Sequence, residues 1–299
     1  VLAMSSLYAE PAYIEHMLPH RDDSSRMATI AAFAGERPLE TLAAALGTTG
    51  PRVRVDSACS SGSDALIVAH QWLETGTVPD VVVVAAAAML NPVGLALFHN
   101  LHALSDSPET TASRPFDARR RGFVMGEGAA ALWLSRSSVR DPLGYVCGHG
   151  RSMNAEKFTD MPADTAAMEA ACRDALGEVD DLAFISAHGT GTPANDPCET
   201  RLYKRLFGRR AYDIPISGLK SMTGHCLGAS SLIEIVVSLH ALRERIAPPT
   251  LNLDEPDPEC DLDYIPHRPR PLRGDHALAT AFAFGGHNSA VLLSRDGPC

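Results

Sequence analysis

A cysteine and two histidines, each on a turn of small residues, are the side chains in this sequence best placed to do chemistry. Cys59 follows a short β-branched segment, Val53-Arg-Val-Asp-Ser-Ala, and precedes Ser-Ser-Gly and an apolar helix. A helix that begins at such a turn directs its free N–H groups and its positive end toward the sulfur, which favours a thiolate and any oxyanion beside it. The pattern predicts an exposed nucleophile. The alternative is a buried structural cysteine, the usual situation of a free thiol.

The two histidines lie on glycine-flanked turns further along the chain. His188 follows an apolar strand within Ser186-Ala-His-Gly-Thr-Gly-Thr-Pro, and His225 ends Lys220-Ser-Met-Thr-Gly-His. Ligands of α/β proteins bind at the carboxyl ends of strands, where His188 is predicted to stand. Metal binding is the competing interpretation, but neither histidine has a carboxylate or cysteine at ligand spacing, so we expect no metal at this site.

An internal repeat indicates which elements position these side chains. Residues 126–136 resemble residues 285–295, an offset of 159 positions (285 − 126), and the strand, turn and helix around Cys59 recur over residues 212–245. Repeated strand–turn–helix units predict an α/β protein of two duplicated halves with mostly parallel sheets in layers. We place the halves at residues 1–137, with the nucleophile, and 138–299, with both histidines. The site would then lie where the halves meet.

Composition excludes several classes of protein. The net charge of −10 argues against nucleic acid as the main partner. The most apolar run, residues 81–90, is half of the roughly 20 residues that a membrane span needs, and it is typical of a buried strand in a parallel sheet. Since this run is too short to span a membrane, we expect no membrane contact. The seven cysteines are odd in number and scattered, which predicts a cytoplasmic protein without a disulfide framework.

Five motifs that occur together and in order give the chain a family resemblance. They are Asp56-Ser-Ala-Cys-Ser-Ser-Gly, Arg114-Pro-Phe-Asp-Ala with Gly122-Phe-Val-Met-Gly-Glu-Gly, His188-Gly-Thr-Gly-Thr-Pro, Lys220-Ser-Met-Thr-Gly-His and Phe282-Ala-Phe-Gly-Gly-His-Asn. This set resembles the signature of elongating β-ketoacyl-ACP synthases, the Cys-His-His ketosynthases of fatty-acid and polyketide biosynthesis. The resemblance implies the thiolase fold. It also implies that about 100 residues normally precede the segment at Val1, so the N-terminal half is expected to be incomplete.

The resemblance implies a role for each matched residue. Cys59 would take the acyl group from a carrier protein, and the N–H groups of Cys59 and Phe284 would form the oxyanion hole. His188 and His225 would stabilise the enolate that forms when malonyl-carrier protein loses carbon dioxide. The product would be a β-ketoacyl chain two carbons longer.

Supporting roles follow in the same way. Lys220 would act by hydrogen bonding and charge near the histidines, and Asp196, Glu199 and Glu234 would hold the loops and histidines in place. Phe284 would also serve as an aromatic gate beside the cysteine.

The implied partners are an acyl-carrier protein and a second chain, in a homodimer or in a heterodimer with a chain-length-determining relative. The carrier supplies the phosphopantetheine arm, so no cofactor of the enzyme itself is expected. Two alternatives stay open: a ketosynthase-like acyltransferase that does not extend the chain, and an inactive partner subunit of a heterodimer. Thiolase is disfavoured because its second catalytic cysteine has no match here.

Two departures from the family pattern carry expectations of their own. Ala283 stands where a glycine is usual, and its Cβ is expected to restrict motion of the gate. Arg119-Arg-Arg occupies a stretch that is often acidic in the family. It is either a solvated turn or a docking surface for an acidic carrier protein.

Overall fold

Two β-sheets enclose a pair of central helices, and the active-site candidates lie around the ends of those helices. The computed structural model describes residues 2–4, 37–137, 139–156 and 158–297. Within these residues, each sheet packs against both central helices, so the apolar faces of the sheets and helices form one continuous core.

The first sheet has the strand order β2-β1-β3-β4 among the described residues. β1 runs parallel to both β2 and β3, and β4 closes the order antiparallel to β3. The elements in this part of the chain are β1 (Leu2–Met4), α1 (Arg37–Leu46), β2 (Arg54–Val55), α2 (Ser61–Glu74), β3 (Asp80–Ala87), α3 (Pro92–Asn100) and β4 (Gly128–Ser135).

The second sheet has the order β5-β11-β10-β6-β7. β6 is parallel to β7 and β10, whereas β11 is antiparallel to both of its neighbours. A small antiparallel pair, β8 with β9, lies apart from it. The elements here are β5 (Tyr145–Met153), α4 (Ala166–Leu176), β6 (Leu182–Ser186), α5 (Asn195–Phe207), β7 (Ile216–Ser217), α6 (Lys220–Thr223), α7 (Ser230–Glu244), β8 (Ile246–Ala247), β9 (Arg270–Pro271), β10 (His276–Phe282) and β11 (His287–Ser294).

The repeated segments occupy equivalent places in the two sheets. Residues 126–136 contain β4 and residues 285–295 contain β11, and each of these strands runs antiparallel to the strand that precedes it in its sheet. The second repeat also holds, because β2 leads to α2 as β7 leads to α7. Within this second repeat, a 3-10 turn, Leu227–Ala229, comes directly before α7.

The two central helices touch at Gly62. A Cβ added there would come within 2.7 Å of the backbone nitrogen of Leu232, on α7. Ser63 N–H also donates to Ser231 Oγ across the same contact, at 2.9 Å. The missing side chain of Gly62 lets α2 and α7 pack closely.

The most apolar run also differs from its prediction. β3 ends at Ala87, and among the described residues one of its faces is buried against the core while the other is partly exposed. Five described cysteines have free thiols, namely Cys59, Cys172, Cys198, Cys226 and Cys260. Cys147 is disulfide-bonded, which departs from the expectation of free cysteines. Among the described helices, none is both long and apolar enough to cross a membrane.

Candidate active site

Cys59 lies on a tight turn between a strand and a central helix. The turn is a 3-10 segment, η1 (Ala58–Ser60), inserted between β2 and α2. Ala58 has φ +51°, a left-handed conformation that costs a residue with a Cβ about 1 kcal/mol. Such a conformation persists only where the surrounding structure imposes it, so the turn before the thiol is held in place by its neighbours.

A buried carboxylate supplies that constraint. Asp64, in the first turn of α2, accepts hydrogen bonds from Ser57 Oγ at 2.5 Å and from Ser60 Oγ at 3.2 Å. Burial raises the pKa of Asp64, and the bond from Ser57 acts against that rise. Sequence analysis did not identify this network. In the sequence, the pattern that could have indicated this network is an acidic residue in the first turn of the helix after the cysteine, with serines on the turn before it.

The sulfur of Cys59 is surrounded by hydrogen-bond donors. The backbone N–H groups of Phe284 and of Cys59 itself, and the charge of Lys220, act to lower the pKa of the thiol. Desolvation by burial outweighs these contributions and raises the pKa of Cys59 to about 11. The resting residue is therefore a thiol at neutral pH, and the thiolate expected from the helix N-terminus is not the resting form.

His188 stands just beyond the end of β6 and is held by a carboxylate beneath its turn. The N–H of His188 and the N–H of Gly189 each donate to one oxygen of Glu199, both at 2.7 Å. Glu199 lies on α5, is fully buried, and also accepts from Tyr203 Oη at 2.6 Å. These bonds fix the main chain of the turn and hence the position of the imidazole.

Asp196, one turn earlier on α5, holds the next part of the same loop. It accepts from Gly191 N–H at 3.1 Å and from Phe116 N–H at 2.7 Å, and Arg120 Nε lies 3.6 Å from it. Burial raises the pKa of Asp196 to about 6, and Arg120 opposes this rise. Asp196 therefore links the loop after His188 to the 114–120 segment from the earlier part of the chain.

Lys220 joins His188 to Glu234 in the interior. Its Nζ donates to Glu234 Oε1 and to the carbonyl oxygen of His188, both at 2.5 Å, and lies 3.3 Å from His188 Nδ1. Lys220 and Glu234 are 1% and 3% exposed, so the pair is almost without solvent. Burial raises the pKa of Glu234 to about 7, and the ammonium of Lys220 acts in the opposite direction.

These contacts determine the tautomers of both histidines. An ammonium only donates, so His188 Nδ1 is the acceptor of the Lys220 bond and Nε2 carries the proton. His225 Nδ1 accepts from Leu227 N–H at 3.1 Å and lies 3.0 Å from Ser230 Oγ, so its proton is on Nε2 as well. Burial, with the charge of Lys220, lowers the pKa of each imidazole well below its usual value, so both are neutral. The ring centroids are 5.5 Å apart. The site thus holds two neutral N–H donors side by side.

His225 is attached by its backbone to the earlier part of the chain. Its N–H donates to Val124 C=O at 2.7 Å, and its C=O accepts from Gly126 N–H at 3.0 Å. A Cβ on Gly126 would come within 2.3 Å of Thr223 C=O, so this approach requires glycine. These bonds join the turn that carries His225 to residues 124–126 of the earlier part of the chain.

Phe284 lies at the start of a 3-10 turn, η4 (Phe284–Gly286), and forms part of an apolar wall. Ala283 before it has φ −113°, an extended conformation open to any residue, so the alanine fits this position without strain. Phe123 lies edge-on to His225, with ring centroids 5.0 Å apart. The buried members of the wall are Met89, Phe98, Phe123, Met125 and Leu227.

The three consecutive arginines differ in environment. Arg120 is 8% exposed and donates to Asp257 at 2.5 Å. Arg119 donates to Asp254 at 2.7 Å. The side chain of Arg121 is 68% exposed. Arg120 is therefore buried in an ion pair with Asp257, whereas Arg119 and Arg121 are exposed and lie beside exposed acidic residues.

Comparison with known proteins adds the family context. Residues 17–140 match the model of the β-ketoacyl synthase N-terminal domain, and residues 143–254 match that of the C-terminal domain. The chain is 41% identical to the tetracenomycin polyketide synthase ketoacyl synthase alpha subunit of Streptomyces glaucescens, over 83% of this chain and 61% of that protein. It is also 41% identical to 3-oxoacyl-acyl-carrier-protein synthase 2 of Synechocystis, over 84% of this chain and 63% of the relative. The chain thus spans slightly less than two thirds of the length of these relatives.

Solved structures resemble this chain over nearly all of it. A β-ketoacyl synthase from Burkholderia phymatum has a TM-score of 0.85 at 30% identity and is matched over 99% of this chain and 75% of its own. A type II polyketide ketosynthase, solved with its acyl-carrier protein and a bound hexaketide, has a TM-score of 0.89 at 29% identity, over 98% and 77%. The ishigamide ketosynthase/chain length factor has a TM-score of 0.88 at 27% identity, over 99% and 75%. The chain shares the thiolase fold of these ketosynthases.

Proposed function

Because this chain belongs to the β-ketoacyl synthase family, we propose that it joins carrier-bound acyl groups by decarboxylative condensation. The observation that carries the proposal is the pair of neutral Nε2–H donors on His188 and His225, together with a cysteine whose pKa the backbone N–H groups of Phe284 and of Cys59 itself act to lower. The backbone N–H groups suit a tetrahedral oxyanion at the cysteine, and the two imidazoles suit an enolate. Two successive steps can therefore take place without rearrangement of the donors.

The first step is acyl transfer to Cys59. The sulfur attacks the thioester carbonyl of the acyl-carrier protein, and the oxyanion accepts hydrogen bonds from the N–H groups of Cys59 and Phe284. The carrier thiol leaves with the proton that Cys59 gives up, so one thiol replaces another. Each oxyanion donor contributes about 3–4 kcal/mol in comparable sites. Because the resting pKa of Cys59 is about 11, proton loss accompanies attack rather than preceding it.

The second step forms the new carbon–carbon bond. A malonyl-carrier protein loses carbon dioxide, and the electron pair of the broken bond becomes an enolate whose oxygen accepts from His188 Nε2–H and His225 Nε2–H. The enolate carbon then attacks the acyl group on Cys59 and releases the thiolate, which takes up a proton. Neutral donors suit this task because an imidazolium would protonate the carbanion.

The four supporting residues are proposed to position groups rather than to react. Lys220 and Glu234 would keep His188 in one tautomer, whereas Asp196 and Glu199 would fix the turn that carries it. Phe284 would act as the gate beside Cys59. We also propose that residues 1–137 and 138–299 are the two thiolase-like halves, one supplying the thiol and the other both histidines.

The proposed partners are an acyl-carrier protein and a second ketosynthase-like chain, in a homodimer or a heterodimer. The solved relatives that include a carrier protein or a chain length factor support this proposal. The carrier would bring the phosphopantetheine arm, so the enzyme itself needs no cofactor or metal for the reaction. A cytoplasmic location belongs to the same proposal.

Intact-protein mass spectrometry tests the acyl-transfer step. The chain incubated with acyl-carrier protein should gain one acyl group, and Cys59→Ala should gain none. His225→Ala should still be acylated, because its donor acts only on the enolate. The reaction with malonyl-carrier protein should release carbon dioxide from the parent and at least about 100-fold more slowly from His225→Ala.

The remaining outcomes identify the alternatives. Acylation without carbon dioxide release would indicate a non-extending acyltransferase. No acylation under any condition, with the fold intact by circular dichroism, would indicate an inactive partner subunit. Either result would overturn the proposed condensation.

A further inference from the structure

Three potential metal ligands meet between the two sheets, away from the candidate active site. His70 and Glu74 lie one turn apart on the last part of α2, and His149 lies on β5. Each offers one ligand atom, and these atoms all lie within 4.8 Å of one another. Residues four apart share a helix face, so α2 presents both of its ligands toward the strand.

The distances are close to those of a tetrahedral site. Glu74 Oε2 is 3.5 Å from His70 Nδ1 and 3.9 Å from His149 Nε2. Zinc bonds of about 2.0–2.1 Å at tetrahedral angles place ligand atoms roughly 3.3 Å apart, so small side-chain movements would complete the geometry. The rings of His70 and His149 are nearly perpendicular, with centroids 5.3 Å apart, and do not stack against each other.

One ring nitrogen of the cluster lacks a partner. His70 Nδ1 is buried and has no hydrogen-bond partner among the described residues, an unusual situation for a buried ring nitrogen. Glu74 contributes the carboxylate that would offset the charge of a cation.

We propose that His70, Glu74 and His149 bind one divalent metal ion of the zinc class and thereby join α2 to β5. Two imidazoles and one carboxylate form a ligand set that zinc uses, with a fourth position left to water. The carboxylate is 58% exposed, so an ion can enter from solvent. The ion would take no part in chemistry at Cys59, because it lies at the opposite end of α2, about 20 Å along a helix of 14 residues. It is separate from the His188 and His225 turns, where the sequence predicts no metal.

Metal titration of the full chain tests this site. Zinc and cobalt(II) would be titrated into metal-free protein carrying Cys59→Ala, which removes the active-site thiol as a competing ligand. We expect one ion per chain, a cobalt spectrum without a thiolate band, and a zinc-dependent rise in the melting temperature. His149→Gln should bind at least about tenfold more weakly and lose the rise, as should His70→Gln.

The control is His240→Gln, because His240 is an exposed histidine on α7 outside the cluster. It should bind as the parent does. If a histidine variant fails to fold, Glu74→Gln replaces it, since this exposed carboxylate is not required for packing. The proposal is overturned if Glu74→Gln or a folded His149→Gln binds zinc as tightly as the parent, or if the parent binds none.

Discussion

The two repeated strands, β4 and β11, have similar sequences but different environments. Trp133 on β4 and Leu292 on β11 are equivalent positions, 159 residues apart (292 − 133), yet they are 61% and 1% exposed. β11 is paired on both edges and α4 packs over it, whereas β4 pairs only with β3 among the described residues. The repeat thus determines the order and direction of the strands, whereas the elements packed against a strand determine whether its side chains are buried or exposed.

A second difference concerns charge. The turn before α2 carries a thiol and is stabilised by hydrogen bonds to Asp64, whereas the region before α7 is built over a buried ion pair, Lys220 with Glu234. The equivalent elements therefore hold their reactive groups by different means. Four predictions test how far this contrast extends.

The largest expected effect follows removal of the buried cation. Lys220→Met removes the cation from the buried Glu234 carboxyl together with the bonds that Nζ donates to Glu234 and His188, which should lower the free energy of unfolding by about 3–5 kcal/mol in urea titrations. Asp64→Asn is the matched change at the turn before α2. It loses hydrogen bonds but leaves no oppositely charged partner buried, so the free energy of unfolding should fall by about 1–3 kcal/mol. Equal losses for the two variants would remove the contrast between the units.

The strand comparison is tested by shortening its two equivalent residues. Leu292→Ala should lower the free energy of unfolding by about 2–5 kcal/mol because it opens a cavity in the core. Trp133→Ala should change it by less than about 0.5 kcal/mol, as surface substitutions do. A loss above about 2 kcal/mol for Trp133→Ala would mean that β4 is covered in solution by something beyond the described residues.

The contact that joins the two units should show a smaller effect. Gly62→Ala places a methyl group against the backbone of Leu232, so the helices must separate and the free energy of unfolding should fall by about 1–3 kcal/mol. Ala65→Ser, on the same helix, is a volume-matched change that keeps the contact at Gly62. If Gly62→Ala is as stable as the parent, the glycine does not serve helix packing.

Cys59 is expected to matter least for stability, but the reactivity of its thiol should depend clearly on pH. With a pKa of about 11, its alkylation by iodoacetamide should accelerate about tenfold for each pH unit between 7 and 10, because only the thiolate reacts. Peptide mass spectrometry would follow Cys59 separately from the buried thiols. If the alkylation rate instead stopped rising near neutral pH, the helix N-terminus and Lys220 would outweigh burial in setting the pKa of Cys59. Both turns, the one before α2 and the one before α7, would then hold charged groups.

Local patterns were enough to predict the duplicated architecture. The glycine turn and strand of residues 126–136 recur as a continuous segment in residues 285–295, so their equivalence needs no tertiary information. The placement of the histidines after strands and before helices could be predicted for the same reason.

Long-range contacts were not accessible from the sequence. The partner of Gly62 lies 170 residues away on α7, so its role in helix packing could not be seen locally. The ion pairs of Arg119 and Arg120 join distant loops, and the desolvation of Cys59 depends on elements from the whole chain. Burial and long-range pairing thus account for most of what prediction missed.

The backbone bonds of His225 to Val124 and Gly126 have a consequence for how the site opens. Together with the close contact of α2 and α7, they join the turn that carries His225 to the earlier part of the chain. A hinge between the two sheets would have to break these bonds before it could widen the site. Under the proposed function, we therefore expect a substrate arm to enter by local movement of η4 and its neighbouring side chains.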